Sequence, residues 1–167
     1  TALVEFMSLD NASRAVNAIL AEGIVPASLE LMDRTAIACI EEAMHLGLPT
    51  DVEASLIIET DGSDERTVAR EIETAGRISM ESGARTVKVA RTEEERGGLW
   101  KARRSISPSL ARKAPNKLGE DITVPRSAIP EVVERLRAIS ARYGLPIVIF
   151  GHAGDGNLHP NILFDKR

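Results

Sequence analysis

The chain has 167 residues, 43% hydrophobic and 28% charged, with a net charge of -4. That is one domain's worth of sequence with enough apolar material for a sizeable core. An acidic balance with 3% aromatic residues excludes a dedicated nucleic-acid binder, which needs a basic surplus and stacking platforms. No apolar stretch is long enough to span a bilayer, no signal-peptide pattern opens the sequence, and a single cysteine excludes a disulfide framework. These features fit a cytoplasmic protein.

In chain order, residues 2–7 read as a strand, and Asp10 as the cap of a helix whose stripe of Ala12, Val16, Ile19 and Leu20 ends at Gly23. A short strand follows at 27–32. Asp33 caps a second helix with Ile37, Ile40 and Met44 inward, stopped by Gly47 and Pro49. Cys39 falls in that apolar pattern and reads as a buried thiol, and His45 as a helix-end residue. A strand at 53–59 turns at Asp61-Gly62 into a helix over 64–82, ended by Gly83, and Thr86–Val89 is the returning strand. Thr92 and Glu95 form a capping box that opens a helix carrying Leu99 and Trp100 toward Leu110. After Pro115 come a strand at 120–124, a helix at 128–143, the strand Ile147–Phe150 and a last strand Asn161–Phe164. Strand–helix–strand units therefore recur at 2–32, 53–90 and 120–150. They predict an α+β fold: an antiparallel sheet covered by helices on one face, built from ferredoxin-like strand–helix–strand repeats. No linker divides the chain, so 1–167 is read as a single domain.

The segment Gly151-His152-Ala153-Gly154-Asp155-Gly156-Asn157-Leu158-His159-Pro160-Asn161 is the most informative. On a straight strand His152 and His159 face opposite ways, because side chains alternate. A glycine-bent loop removes that restriction and can bring both rings to one point. His159 and Asn161 are two apart and share a face. Two imidazoles and an amide make a candidate metal or anion pocket; a plain hairpin whose histidines cap loop hydrogen bonds fits the spacing equally. A second candidate is the basic cluster Lys101, Arg103, Arg104, Arg112, Lys113 and Lys117. A guanidinium there can hold a carboxylate bidentately, with Ser107 one turn after Arg103 adding a hydroxyl, whereas a solvated helix face is the bland alternative. There is no P-loop, no dinucleotide-binding GxGxxG and no GxSxG elbow.

The order GHAGDGNLHPN resembles the signature of the C-terminal, substrate-binding (cap) domain of FAD-linked oxidases. These are flavoproteins of the vanillyl-alcohol-oxidase type, in the branch that holds glycolate oxidase and the D-lactate and D-2-hydroxyglutarate dehydrogenases. Weaker resemblance runs through Leu29–Asp33, Leu99–Arg104 and Asp121–Arg126. The resemblance implies an FAD-dependent oxidation of a 2-hydroxy acid, of glycolate or D-lactate type, to the 2-oxo acid. It implies His152 and His159 as catalytic residues and as ligands of a divalent metal such as zinc. It places Arg103, Ser107 and Asn161 on the substrate, and Gly154, Gly156 and Asn157 near the cofactor. It further implies an FAD-binding domain or subunit as partner, FAD being held mainly there, and a protein that is cytoplasmic or peripheral to the inner membrane. The family's later Glu-His-Gly motif, which completes the metal set, is not within these residues, and its substrate-binding lysine has only Lys117 nearby. The chain thus reads as a fragment of a longer oxidase, inactive alone and open to homo-oligomerisation. A stand-alone ligand- or metal-binding module, or a non-catalytic subunit partnering a flavoprotein, is the alternative.

Overall fold

The computed structural model describes residues 1–166. In chain order it contains β1 (Ala2–Phe6), α1 (Leu9–Ala21), β2 (Ser28–Asp33), α2 (Arg34–Met44), β3 (Ala54–Glu59), α3 (Glu65–Glu81) and β4 (Ala84–Val89). There follow α4 (Glu93–Arg104), α5 (Ile106–Lys113), β5 (Asn116–Gly119), β6 (Ile122–Thr123), α6 (Ile129–Tyr143), β7 (Ile147–His152) and β8 (Asn157–Phe164). The strands form one sheet in the order β4-β1-β3-β2-β7-β8-β5, with β6 also on β8, and every pairing is antiparallel.

The three expected repeats are three split units. β1 and β2 both run antiparallel to β3 and so lie parallel to each other on its two sides, joined by α1. β3 and β4 flank β1 in the same way and are joined by α3; β6 and β7 flank β8 and are joined by α6. All three crossover helices pack on one face, where Ala12, Val16, Ile78, Ala75, Ile129 and Val133 meet Val4, Phe6, Leu31, Leu56 and Ile149.

The α+β antiparallel sheet is therefore as expected, and its helical cover extends further than the repeats alone supply. On the second face α2 and α5, with Ala102 of α4, pack on Leu3, Met32, Ile57, Val148, Phe150 and Leu163. The cause is visible in the strands: β1 is buried at all five positions and β3 at all but its last, so both sides of the pleat need apolar partners. A fully buried Ile57 alone is worth about 1.5–3 kcal/mol relative to exposure.

Boundaries shift where local chemistry competes. Ser8, not Asp10, caps α1, its Oγ accepting the Asn11 N–H, while Asp10 sits in the first turn and pairs with Arg14. The helix expected from Thr92 toward Leu110 breaks at Ser105, because Pro108 has no N–H to give the Arg104 carbonyl. The expected caps Asp33 and the Thr92–Glu95 box are present. Among the described residues no helix is long and apolar enough to cross a membrane.

Candidate functional site

The glycine-rich segment is a hairpin: β7, a four-residue turn and β8. Its register pairs Phe150 with His159 and His152 with Asn157. His152 and His159 thereby become diagonal neighbours on one face, their ring centroids 5.1 Å apart and their planes perpendicular. The glycines make this possible by backbone approach. A Cβ on Gly156 (φ 76°) would collide with the Val124 carbonyl oxygen, and the Val124 N–H donates to the Gly156 carbonyl at 3.0 Å. Gly154 lies against Leu29, to whose carbonyl it donates its N–H at 3.2 Å. Both glycines thus serve packing within the chain. Asn157 differs: its side-chain Oδ1 is buried and has no hydrogen-bond partner.

Next to His152 lies Glu30 of β2, in direct register with it and only 3% exposed. Its Oε1 accepts from His152 Nδ1 at 2.6 Å and from Ser28 Oγ at 3.0 Å; its Oε2 accepts from Arg103 Nε at 2.7 Å. The Arg103 guanidinium also lies over the Phe150 ring, 5.2 Å from its centroid, a cation–π contact. Arg103 is thus a half-enclosed cation held on the sheet beside the imidazoles, not a solvated helix residue. Sequence reasoning missed Glu30. It sits 73 and 122 residues from its partners, in a strand that otherwise reads as core.

His159 has its own carboxylate, Asp121, whose Oδ1 accepts from Nδ1 at 2.5 Å. Its ring packs on Phe150 at 5.5 Å between centroids. Asn161 shares its face as expected, but it is buried, and its Nδ2 donates to the His159 carbonyl at 3.0 Å. Ser107 is exposed and accepts from Lys117 Nζ at 2.6 Å, so the helix after Arg103 and the β5 lysine are tied together. The rest of the basic cluster divides. Arg112 donates to the Ala43 carbonyl and Lys113 pairs with Glu42, and both clamp α5 to α2. Trp100 borders a cleft of about 350 Å³ with Glu30, Arg126, His152 and Asp155.

The described residues fit a divalent ion in part. Two imidazoles on a tetrahedral ion place their ring centres roughly 5 Å apart, and each Nδ1 here is already held by a carboxylate, the usual outer arrangement of metal-bound histidine. The remaining nitrogens, Nε2 of His152 and His159, are two such donors; no group of three or more His, Cys, Asp or Glu able to hold an ion occurs among the described residues.

Other perturbed groups are structural. Burial pushes the Asp33 carboxyl up to about 7, against the hydrogen bonds it accepts from Ala36 N as the α2 cap and from Ile149 N. Burial likewise raises the Cys39 thiol, a core residue as expected. The Leu48, Gly47 and Leu46 N–H groups hold the Glu41 carboxyl below its usual value, closing the turn after α2 where His45 is the left-handed cap.

Comparison with known proteins agrees with this architecture. The family described as FAD linked oxidases, C-terminal domain, matches residues 1–167. The chain is 44% identical over 167 residues to the glycolate oxidase subunit GlcD of Bacillus subtilis (strain 168), covering 100% of this chain and 35% of that protein. It is 40% identical over 165 residues to GlcD of Escherichia coli (strain K12), covering 99% and 33%. With the D-lactate dehydrogenase of Archaeoglobus fulgidus the identity is 29% over 161 residues, covering 96% and 34%. The chain spans about a third of the length of these relatives. The fold is shared with an alkyldihydroxyacetonephosphate synthase (TM-score 0.66, 11% identity, 99% of this chain and 36% of that one). It is shared too with the 4-ethylphenol oxidase of Gulosibacter chungangensis (TM-score 0.64, 16% identity, 97% and 38%).

Proposed function

Because this chain belongs to the FAD linked oxidase C-terminal domain family, we propose that it is the substrate-binding part of an FAD-dependent enzyme that oxidises a 2-hydroxy acid, of glycolate or D-lactate type, to the 2-oxo acid. The observation that carries the reading is the adjacency of Arg103 to His152 through one buried carboxylate, with His159 beside them. A 2-hydroxy acid presents the complementary pair, a carboxylate one carbon from a hydroxyl.

In this reading Arg103 binds the substrate carboxylate through its terminal nitrogens, Nε being held by Glu30. Ser107 and Lys117, joined at 2.6 Å, form the outer part of the same anion site. His152 and His159 face the hydroxyl, and an Nε2 takes its proton as the alcohol is oxidised. Asn161 contributes through the His159 carbonyl that it holds. The flavin, when bound, supplies the acceptor for the hydride leaving the alpha carbon. The hairpin residues Gly154, Gly156 and Asn157 would border it. A divalent ion, if bound on the two Nε2 atoms, would occupy the same lone pairs in place of the hydroxyl proton and would itself lower the hydroxyl pKa. The flavin is held mainly by a further domain or subunit, the partner this reading requires, and the complex resides in the cytoplasm or against the inner membrane.

The test is anaerobic reduction of the flavin in the protein purified with its flavin-binding unit. Bleaching by glycolate or D-lactate supports the reading. Failure of every 2-hydroxy acid to bleach a fully flavinylated protein rejects it. Arg103→Ala is expected to raise KM and to lower kcat/KM about 10- to 100-fold, the worth of one charged hydrogen bond, with flavin content unchanged.

A further inference from the structure

Both oxygens of Glu30 are engaged, and on different tasks. Oε2 takes the Arg103 Nε hydrogen at 2.7 Å, and Oε1 takes His152 Nδ1 at 2.6 Å, in a site where Glu30 is 3% exposed. We propose that Glu30 is the positioning residue of this site, setting the Arg103 guanidinium and the His152 tautomer together. The inference rests on the function proposed above. An acceptor facing Nδ1 requires the proton on that nitrogen, so the lone pair is presented from Nε2. Engaging Arg103 by Nε leaves its two terminal nitrogens, a ready fork, for the substrate carboxylate. One buried anion thus fixes the distance between the group that holds the acid and the group that meets the hydroxyl.

Only a carboxylate can do this. Arginine donates and never accepts, and the tautomer required of His152 also donates, so two acceptor oxygens are needed. An amide offers one oxygen and one NH2. In Glu30→Gln the oxygen must stay with Arg103, which has no accepting form. The NH2 then faces His152, whose ring can accept only by moving its proton to Nε2. The substitution therefore leaves the cation in place and inverts the imidazole. A purely structural ion pair, tying α4 to the sheet, would instead disturb both groups together.

The experiment combines kinetics and nitrogen NMR of His152 in the protein with its flavin-binding unit, at alkaline pH. The wild type is expected to show the Nδ1–H tautomer and Glu30→Gln the Nε2–H tautomer. Glu30→Gln should lower kcat about 10- to 100-fold, the usual effect of removing an outer partner of a functional histidine, while KM stays within about threefold because Arg103 is retained. Glu30→Asp, with both acceptors one methylene further away, should restore the Nδ1–H tautomer and part of kcat. An Nε2–H ring in the wild type, an unchanged ring in Glu30→Gln, or kcat and KM moving together would overturn the proposal. If Glu30→Gln does not fold, the wild-type spectrum and Glu30→Asp decide. If no 2-hydroxy acid is oxidised, the proposed function fails, and the tautomer measurement still decides the role of Glu30.

Discussion

The two faces of this sheet are built from the same strands and do different work. Toward α1, α3 and α6 the central strands turn Val4, Phe6, Leu29, Leu31, Leu56, Ile58 and Ile149, a closed apolar layer under helices. Toward α2, α4 and α5 they turn Leu3, Met32, Ile57, Val148 and Phe150, but also Glu5, Glu30, Ser55, His152, Asn157, His159 and Asn161. Alternation puts both sets on one chain of residues, so a single strand carries a closed apolar layer on one set of alternate positions and polar groups on the other. The charged groups on the second face are answered by other chain segments: Glu30 by Arg103 and His152, His159 by Asp121, Glu5 by Lys88. The lesson is that the site occupies the part of the sheet where the second helical layer leaves off, at the β2–β7–β8 end.

That contrast can be broken by substitution. His152→Ala should remove the chemistry and spare the fold: kcat/KM falls about 1,000-fold, in the range of a lost proton-transfer group, with a melting curve close to wild type. Leu56→Ala, on the closed face, should do the reverse, costing about 2–5 kcal/mol of stability while the folded fraction retains its kcat; denaturant unfolding beside active-site titration separates the two. If either substitution moved both properties, the division of labour between the faces would be wrong. Asp33 sharpens the comparison through pH. Its folded value of about 7 lies above the ordinary 3.8, so between these values the folded chain holds a proton that the unfolded chain has released. Its contribution is full below about 4 and is lost as pH rises through about 7. Asp33→Asn should remove that slope, read as the difference between the two stability–pH curves. The smallest effect is expected for Ser107→Ala, exposed and hydrogen-bonded to Lys117: a rise in KM of about threefold or less, the scale of one solvent-exposed polar contact.

Short-range signals were legible and long-range ones were not. The Asp33 cap, the Thr92–Glu95 box and the helix stops at Gly23 and Gly83 depend on residues within a turn of each other, and the structure holds them where the sequence places them. At the start of α1, Ser8, Asp10 and Asn11 all have capping chemistry, and composition does not choose among them. The break before α5 was written in Pro108, within a run whose apolar spacing hides it. β5 escaped because an exposed edge strand, Asn116–Gly119, shows no alternation, and β8 began at Asn157 in residues whose composition suggests a loop. The pairing of His152 with His159 was readable as a motif. Glu30 was not, since a lone glutamate in an apolar strand acquires meaning only when α4 and β7 arrive from distant sequence.

The position of β8 has a consequence in time. β5, β6 and β7 all find their partner in it, so none of these three pairings exists until β8 is in place. The hairpin with β7 closes over four residues, whereas the pairings with β5 and β6 span tens of residues and wait on α6. Asp121 stands between β5 and β6, and Glu30 meets His152 only once β7 has docked on β2. The hairpin alone can bring the two imidazoles together, and their carboxylate partners arrive only with the long-range pairings. Hydrogen exchange should show the amides of β5, β6 and β8 opening as one unit.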